Sequence, residues 1–133
     1  MDSESINGLS KHMGYASVAN DVAREWLQEI LDRKNEKILV SESNGEINGW
    51  IHAFKTNRVA SPPFIEIAGL VVAPDNRRNG VGTELVQNIE HWAKNLNLKV
   101  RVRSNLIREE THKFYEALGF VNSKTQHIFE KSV

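Results

Sequence analysis

Apolar residues change period several times along this chain, and each change predicts an element. Ile6, Leu9 and Met13 are spaced as one face of a helix, which Gly8 weakens. Ser17 suits an N-cap, and Val22, Trp26, Leu27, Ile30 and Leu31 continue a second helix towards Lys34. The period then falls to two. "KILVSE" and "INGWIHAFKT" read as strands joined by "SNGE", whose Asn-Gly suits a type I′ hairpin turn. "SPP" at Ser61 to Pro63 breaks the chain, and "FIEIAGLVVA" is so uniformly apolar that it predicts a central strand buried on both faces. Val81, Leu85, Ile89, Trp92 and Leu96 share a helical face. "LKVRVRSN" alternates as a half-exposed strand does, "REETHKFYEAL" predicts a helix ended by Gly119 at C′, and "FVNSKTQHIFEKSV" predicts one or two short closing strands. The order ααβββαβαβ(β) implies an α/β fold, a mixed sheet with helices on both faces. With no repeat or linker, residues 1–133 read as a single domain.

Composition removes several classes of function. Lys+Arg and Asp+Glu both number 17, so the chain has no basic excess to draw it to nucleic acid or a membrane surface. There is no cysteine, which excludes disulfides, thiolate metal sites and a cysteine nucleophile. The five histidines (His12, His52, His91, His112 and His127) form no metal-ligand spacing, so no metal is expected. Apolar runs are too short to span a bilayer and "MDSESING" is unlike a signal peptide, which points to a soluble cytoplasmic protein.

Candidate chemistry concentrates at "RRNGVG", Arg77 to Gly82. An interior glycine costs a helix about 1 kcal/mol relative to alanine, so two in a first turn need a reason. Free N–H groups and the dipole make a helix start an anion site, and Arg77 and Arg78 would add charge-assisted donors. The alternative is a tight strand-to-helix turn with solvated arginines, and the residues alone leave both open. Neither G-x-G-x-x-G nor G-x-x-x-x-G-K-[ST] is present, so the dinucleotide fingerprint and the NTPase P-loop are absent.

The spacing that does occur is R-x-x-G-x-G, Arg77 through Gly80 to Gly82. With it, "LVVAPDNRRNGVGTELV" resembles the acetyl-CoA motif of the GNAT superfamily of N-acetyltransferases, and "HKFYEALGF" resembles that family's second signature. The likeness runs from about Ile38 to the C-terminus. It implies acetyl-CoA as cosubstrate, with backbone groups of Leu70, Val71 and Val72 pairing with the pantetheine arm. It also implies that the amides of Arg78, Asn79, Gly80, Val81, Gly82 and Thr83 hold the pyrophosphate, with Arg77 nearby. Tyr115 resembles the family's general acid, a neutral phenol suited to protonating a thiolate, and its helical face with Thr111, Phe114 and Leu118 also suits core packing.

Departures from the family's pattern are informative. Where many GNAT enzymes carry a glutamate base two residues before the position of Leu70, this chain has Ala68. Glu66 lies on the same strand face and could take the amine's proton through water; otherwise solvent does so. The family's usual asparagine falls at Arg108, so Asn105 is the candidate for its CoA contact. Trp50, His52 and Phe54 share a strand face that is a candidate wall for the substrate, core packing being the alternative. The usual first strand is missing before the first helix; a late start, an open sheet edge or a strand from a homodimer partner would each account for that.

Together these features imply an N-acetyltransferase that acts by direct attack in a ternary complex, with catalytic residues Tyr115 and Glu66 and a small-molecule amine as acceptor. An aminoglycoside or a polyamine would fit, and a protein N-terminus or lysine is the rival acceptor. A CoA-binding regulatory module without transferase activity is the alternative that Ala68 raises.

Overall fold

The computed structural model describes residues 34–43, 45–74, 80–104 and 108–133. The two helices expected before Lys34, and Asn44 in the hairpin turn, lie outside them. The chain divides into two compact units at Ser104.

The first unit is built on a sheet of order β1-β2-β3-β4. Strands β1 (Glu36–Ser43) and β2 (Glu46–Lys55) pair antiparallel. Gly45, with φ of 79°, takes the left-handed conformation that the Asn-Gly signal predicts. A longer loop leads from β2 to β3 (Ile65–Val72), also antiparallel. Thr56 closes it: its N–H and Oγ1 both donate to the Phe64 carbonyl, at 2.8 and 3.2 Å, and the Phe64 N–H donates to Oγ1 at 3.2 Å. Helix α1 (Val81–Asn95) then carries the chain across to β4 (Val100–Val102), which lies parallel to β3.

The core lies between α1 and one face of the sheet. Register puts Leu39 opposite Ile51, Ile51 opposite Leu70, Ala53 opposite Ile67, and Ile65 beside Val100, so these side chains share a face. Leu85, Val86, Ile89 and Ala93 are the buried stripe of α1, and the helix contacts all four strands. Leu85, Val86 and Ile89 each contribute about 1.5–3 kcal/mol on burial. Trp92 is only half-buried, with the Lys37 ammonium 5.1 Å from its ring centroid, and Leu96 caps the helix rather than extending its face.

Three sequence expectations are corrected here. β3 is central, but it is not buried along its whole length: Ala68 is exposed and Gly69, Leu70 and Val72 are half-buried. The cause is that β4 pairs only with Ile65, Glu66 and Ile67. For the same reason "LKVRVRSN" yields a strand of three residues rather than eight. In the second unit, helix α2 (Glu109–Ala117) ends as expected, with Gly119 at φ 92°. Phe120 to Val133, however, forms no strand. From Val121 on every residue is exposed, and a chain without a ladder gains neither strand hydrogen bonds nor burial.

Candidate functional site

Two irregularities coincide on β3. The β2–β3 register pairs His52 with Gly69 but Ala53 with Ile67, so Ala68 is an extra residue and β3 bulges there. At the same level β4 stops pairing, its last partner being Ile67. A bulge breaks a ladder and re-aims the strand, and such sites occur often beside active sites. From Ala68 to Val72 no β4 residue pairs with β3, over about 13 Å at ~3.3 Å per residue. Leu70, Val71 and Val72 lie on the stretch of β3 edge that β4 leaves unpaired. Leu70 turns towards α1, while Val71 turns to the opposite face and is fully buried.

The start of α1 is close to β3: a Cβ at Gly49 would meet both Val81 Cγ1 and the Val71 carbonyl oxygen. Gly80 is the N-cap of α1, at φ 82° and ψ 4°, and no side chain caps the helix. No described residue stands within 4 Å of a Cβ built at Gly80, and its φ of 82° is a conformation that favours glycine. Val81, Gly82 and Thr83 form the first turn, whose N–H groups have no intrahelical acceptor. An uncapped helix start suits a phosphate, and the open β3 edge suits an extended amide-bearing arm. These backbone features fit a CoA thioester. Arg77, Arg78, Asn79 and Asn105 lie outside the described residues.

The sheet face away from α1 carries polar chemistry at the level of the bulge. The Trp50 ring covers Gly69: a Cβ there would meet Cζ3 and Cη2 of the indole at 3.0 Å. Trp50 Nε1 is buried without a hydrogen-bond partner among the described residues. His52 Nε2 stands 3.6 Å from Glu36 Oε2, both side chains being largely buried. That is long for a hydrogen bond, and it is an ion pair only when the imidazole is protonated. Glu66 sits on the same face opposite Phe54, and its Oε1 lies 3.2 Å from Arg103 Nε, close but not aligned as a hydrogen bond. Sequence reasoning grouped Trp50, His52 and Phe54 by parity. It did not find Glu36 or Arg103, because cross-strand neighbours depend on register.

Tyr115 belongs to the second unit. It is 7% exposed, with Phe114 and Phe120 edge-on at 5.0 and 5.3 Å. Its carbonyl accepts the Phe120 N–H at 3.0 Å, so "F-Y-x-x-x-G-F" forms a local turn that brings the second phenylalanine back onto the tyrosine. The packing role is therefore real whatever else the phenol does. Among the described residues no group of three His, Asp or Glu could hold a metal, and no helix is long and apolar enough to cross a membrane.

The profile of the acetyltransferase (GNAT) family matches residues 9–120. The chain belongs to that family. Among curated relatives, the GNAT chain is 32% identical over 78 residues to an aminoglycoside N(6')-acetyltransferase type 1 from Acinetobacter genomosp. 13, covering 58% of this chain and 53% of that protein. It thus spans about half the length of the curated relatives it matches. Its fold is that of an aminoglycoside 6'-N-acetyltransferase from Acinetobacter haemolyticus, with TM-score 0.81, 21% identity and coverage of 100% of this chain and 95% of that one. It is also that of AAC(6')-Iy, solved with a bisubstrate analogue of CoA and monomethyl-acetylneamine, with TM-score 0.84, 21% identity and coverage of 98% and 91%. At that identity the likeness concerns the fold alone. The sheet, its parallel β3–β4 pair and the intervening helix are those of a GNAT domain.

Proposed function

We propose that this GNAT chain is an acetyl-CoA-dependent N-acetyltransferase that acetylates a primary amine of a small cationic molecule, by direct attack in a ternary complex. The observation that carries the reading is the proximity of the β3 edge, open from the bulge at Ala68, to the uncapped first turn of α1. Bound there, acetyl-CoA supplies an acyl thioester. The amides of Val81, Gly82 and Thr83, with Arg77, Arg78, Asn79 and Gly80, hold the pyrophosphate. Leu70, Val71 and Val72 hold the arm through backbone groups, Asn105 adds a further contact, and a strand amide near Leu70 polarises the carbonyl. Holding both reactants in one geometry supplies much of the rate.

Tyr115 protonates the departing thiolate, on the strength of its motif and its neutral phenol. Glu36 and Glu66 put two carboxylates on the sheet face that reaches the bulge, which suits a cationic acceptor. Relatives named as aminoglycoside N(6')-acetyltransferases support an aminoglycoside-like amine. A soluble cytoplasmic enzyme fits a neutral chain of this composition.

A CoA-binding module without turnover is the second reading, favoured by Ala68, which brings no carboxylate to the bulge. Incubation with acetyl-CoA and a set of aminoglycosides and polyamines, followed by mass spectrometry of the amines, separates the two. An acetylated amine supports the transferase; tight acetyl-CoA binding with every amine unchanged supports the module.

A further inference from the structure

Removing a proton from the acceptor ammonium is the step that Ala68 leaves without a residue. A primary amine with a pKa of about 10.4 is almost wholly protonated at neutral pH and cannot attack until it is deprotonated. Glu66 is engaged by Arg103. Among the described residues, His52 and Glu36 bring further proton acceptors to the same sheet face. His52 is the residue of β2 directly opposite Gly69, one position from Ala68, at the point where the β2–β3 register slips and β4 leaves β3. One strand spacing, about 4.8 Å, separates it from the β3 backbone.

The geometry points to His52 as the base that accepts the amine's proton, oriented by the Glu36 carboxylate. This rests on the transferase reading above. Glu36 Oε2 lies 3.6 Å from His52 Nε2. A carboxylate beside the ring stabilises the imidazolium once it forms. In the step, the ammonium gives one proton to the imidazole of His52, directly or through one water. The freed nitrogen lone pair forms the N–C bond to the thioester carbonyl, the C–S bond breaks, and the sulfur keeps the bonding pair. The nitrogen's surplus proton passes to solvent and the thiolate is protonated by the acid. His52 then returns its proton to water, so the net products are the amide, the free thiol and one proton.

Among the described residues, the charged groups on the same sheet face are Glu36 from β1, Glu66 from β3, and Arg101 from β4, with Arg103 just beyond it. Only the neutral imidazole accepts a proton, so the rate carried by His52 falls as pH falls.

The test uses the full chain, acetyl-CoA and an aminoglycoside that the wild type acetylates. His52→Gln should leave acetyl-CoA affinity unchanged and lower kcat/KM for the amine about tenfold to a hundredfold at neutral pH. The deficit should shrink as pH rises towards the amine's pKa. Imidazole added to His52→Ala should restore part of the rate, and Glu36→Gln should lower kcat less than His52→Gln does. A folded His52→Gln protein whose pH profile overlays wild type, or a His52→Ala protein that imidazole does not rescue, would overturn the assignment and leave the transferase reading intact. A wild type that acetylates no amine would overturn both.

Discussion

A Cβ placed on Gly49 of β2 would stand 2.9 Å from Cγ1 of Val81, the first residue of α1. It would also stand 3.1 Å from the Val71 carbonyl oxygen and 3.3 Å from Leu85 Cδ1. The absent side chain lets the N-terminal turn of α1 lie against the sheet, which sets where its free N–H groups point. Gly49→Ala should therefore cost about 1–3 kcal/mol of stability, the range for overpacking, and should weaken acetyl-CoA binding as well. Urea denaturation and calorimetry check the two effects. Unchanged stability would mean that α1 moves freely on the sheet.

Gly69 makes the complementary case on the other face. Gly69→Ala must displace the Trp50 ring, at about 1 kcal/mol or more. Trp50→Phe shortens the ring at the point of contact, so the double variant should lose less than the sum of the singles. A double-mutant cycle on denaturation midpoints measures the coupling, and strict additivity would mean that the ring does not press on Gly69.

Gly82 lies in the uncapped first turn, and Gly82→Asp puts a negative charge among the free N–H groups of the proposed pyrophosphate site. Acetyl-CoA affinity should fall about tenfold or more, equivalent to about 1.4 kcal/mol. Calorimetry on the folded variant measures it; unchanged affinity would remove the pyrophosphate from this turn.

Much of the fold around this candidate site was legible in the sequence. The Asn-Gly turn between two alternating runs fixed the β1–β2 hairpin, and the apolar run ending in a glycine loop fixed β3 and the start of α1. What was not legible depends on partners distant in sequence. Ala68 looks like any strand residue in "IEIAGLVV"; it is a bulge only because of how β2 registers against it. Glu36 and His52 meet because Glu36 pairs with Phe54 across the hairpin, a relation that one residue of slip would abolish. The tail from Phe120 has strand-like residues but no partner to turn them into a strand, and composition does not report partners.

Tyr115→Phe keeps the ring that packs edge-on between Phe114 and Phe120 and removes only the hydroxyl. Stability and acetyl-CoA affinity should be nearly unchanged while kcat falls about tenfold to a hundredfold. Steady-state rates and a denaturation curve decide it. Wild-type kcat with chemistry rate-limiting would reduce Tyr115 to its packing role.

Glu66 and Arg103 form a pair at 3.2 Å in which the arginine is more than half exposed, so its contribution to stability should stay below about 1 kcal/mol. With His52 as the base, Glu66→Gln should raise KM for a cationic amine and leave the acid limb of the pH profile where it is. A lost acid limb in this variant would transfer the base role to Glu66.

The central claim is that this GNAT chain transfers acetyl groups to small cationic amines. Initial-rate measurement of free thiol release from acetyl-CoA, across a panel of aminoglycosides, polyamines and lysine-bearing peptides, tests it most directly. We expect amine-dependent thiol release that saturates with an aminoglycoside or polyamine, at rates well above those with any peptide, and equimolar with the acetylated amine. Thiol release no faster than the amine-free background across the whole panel, by a folded protein that binds acetyl-CoA, would contradict it.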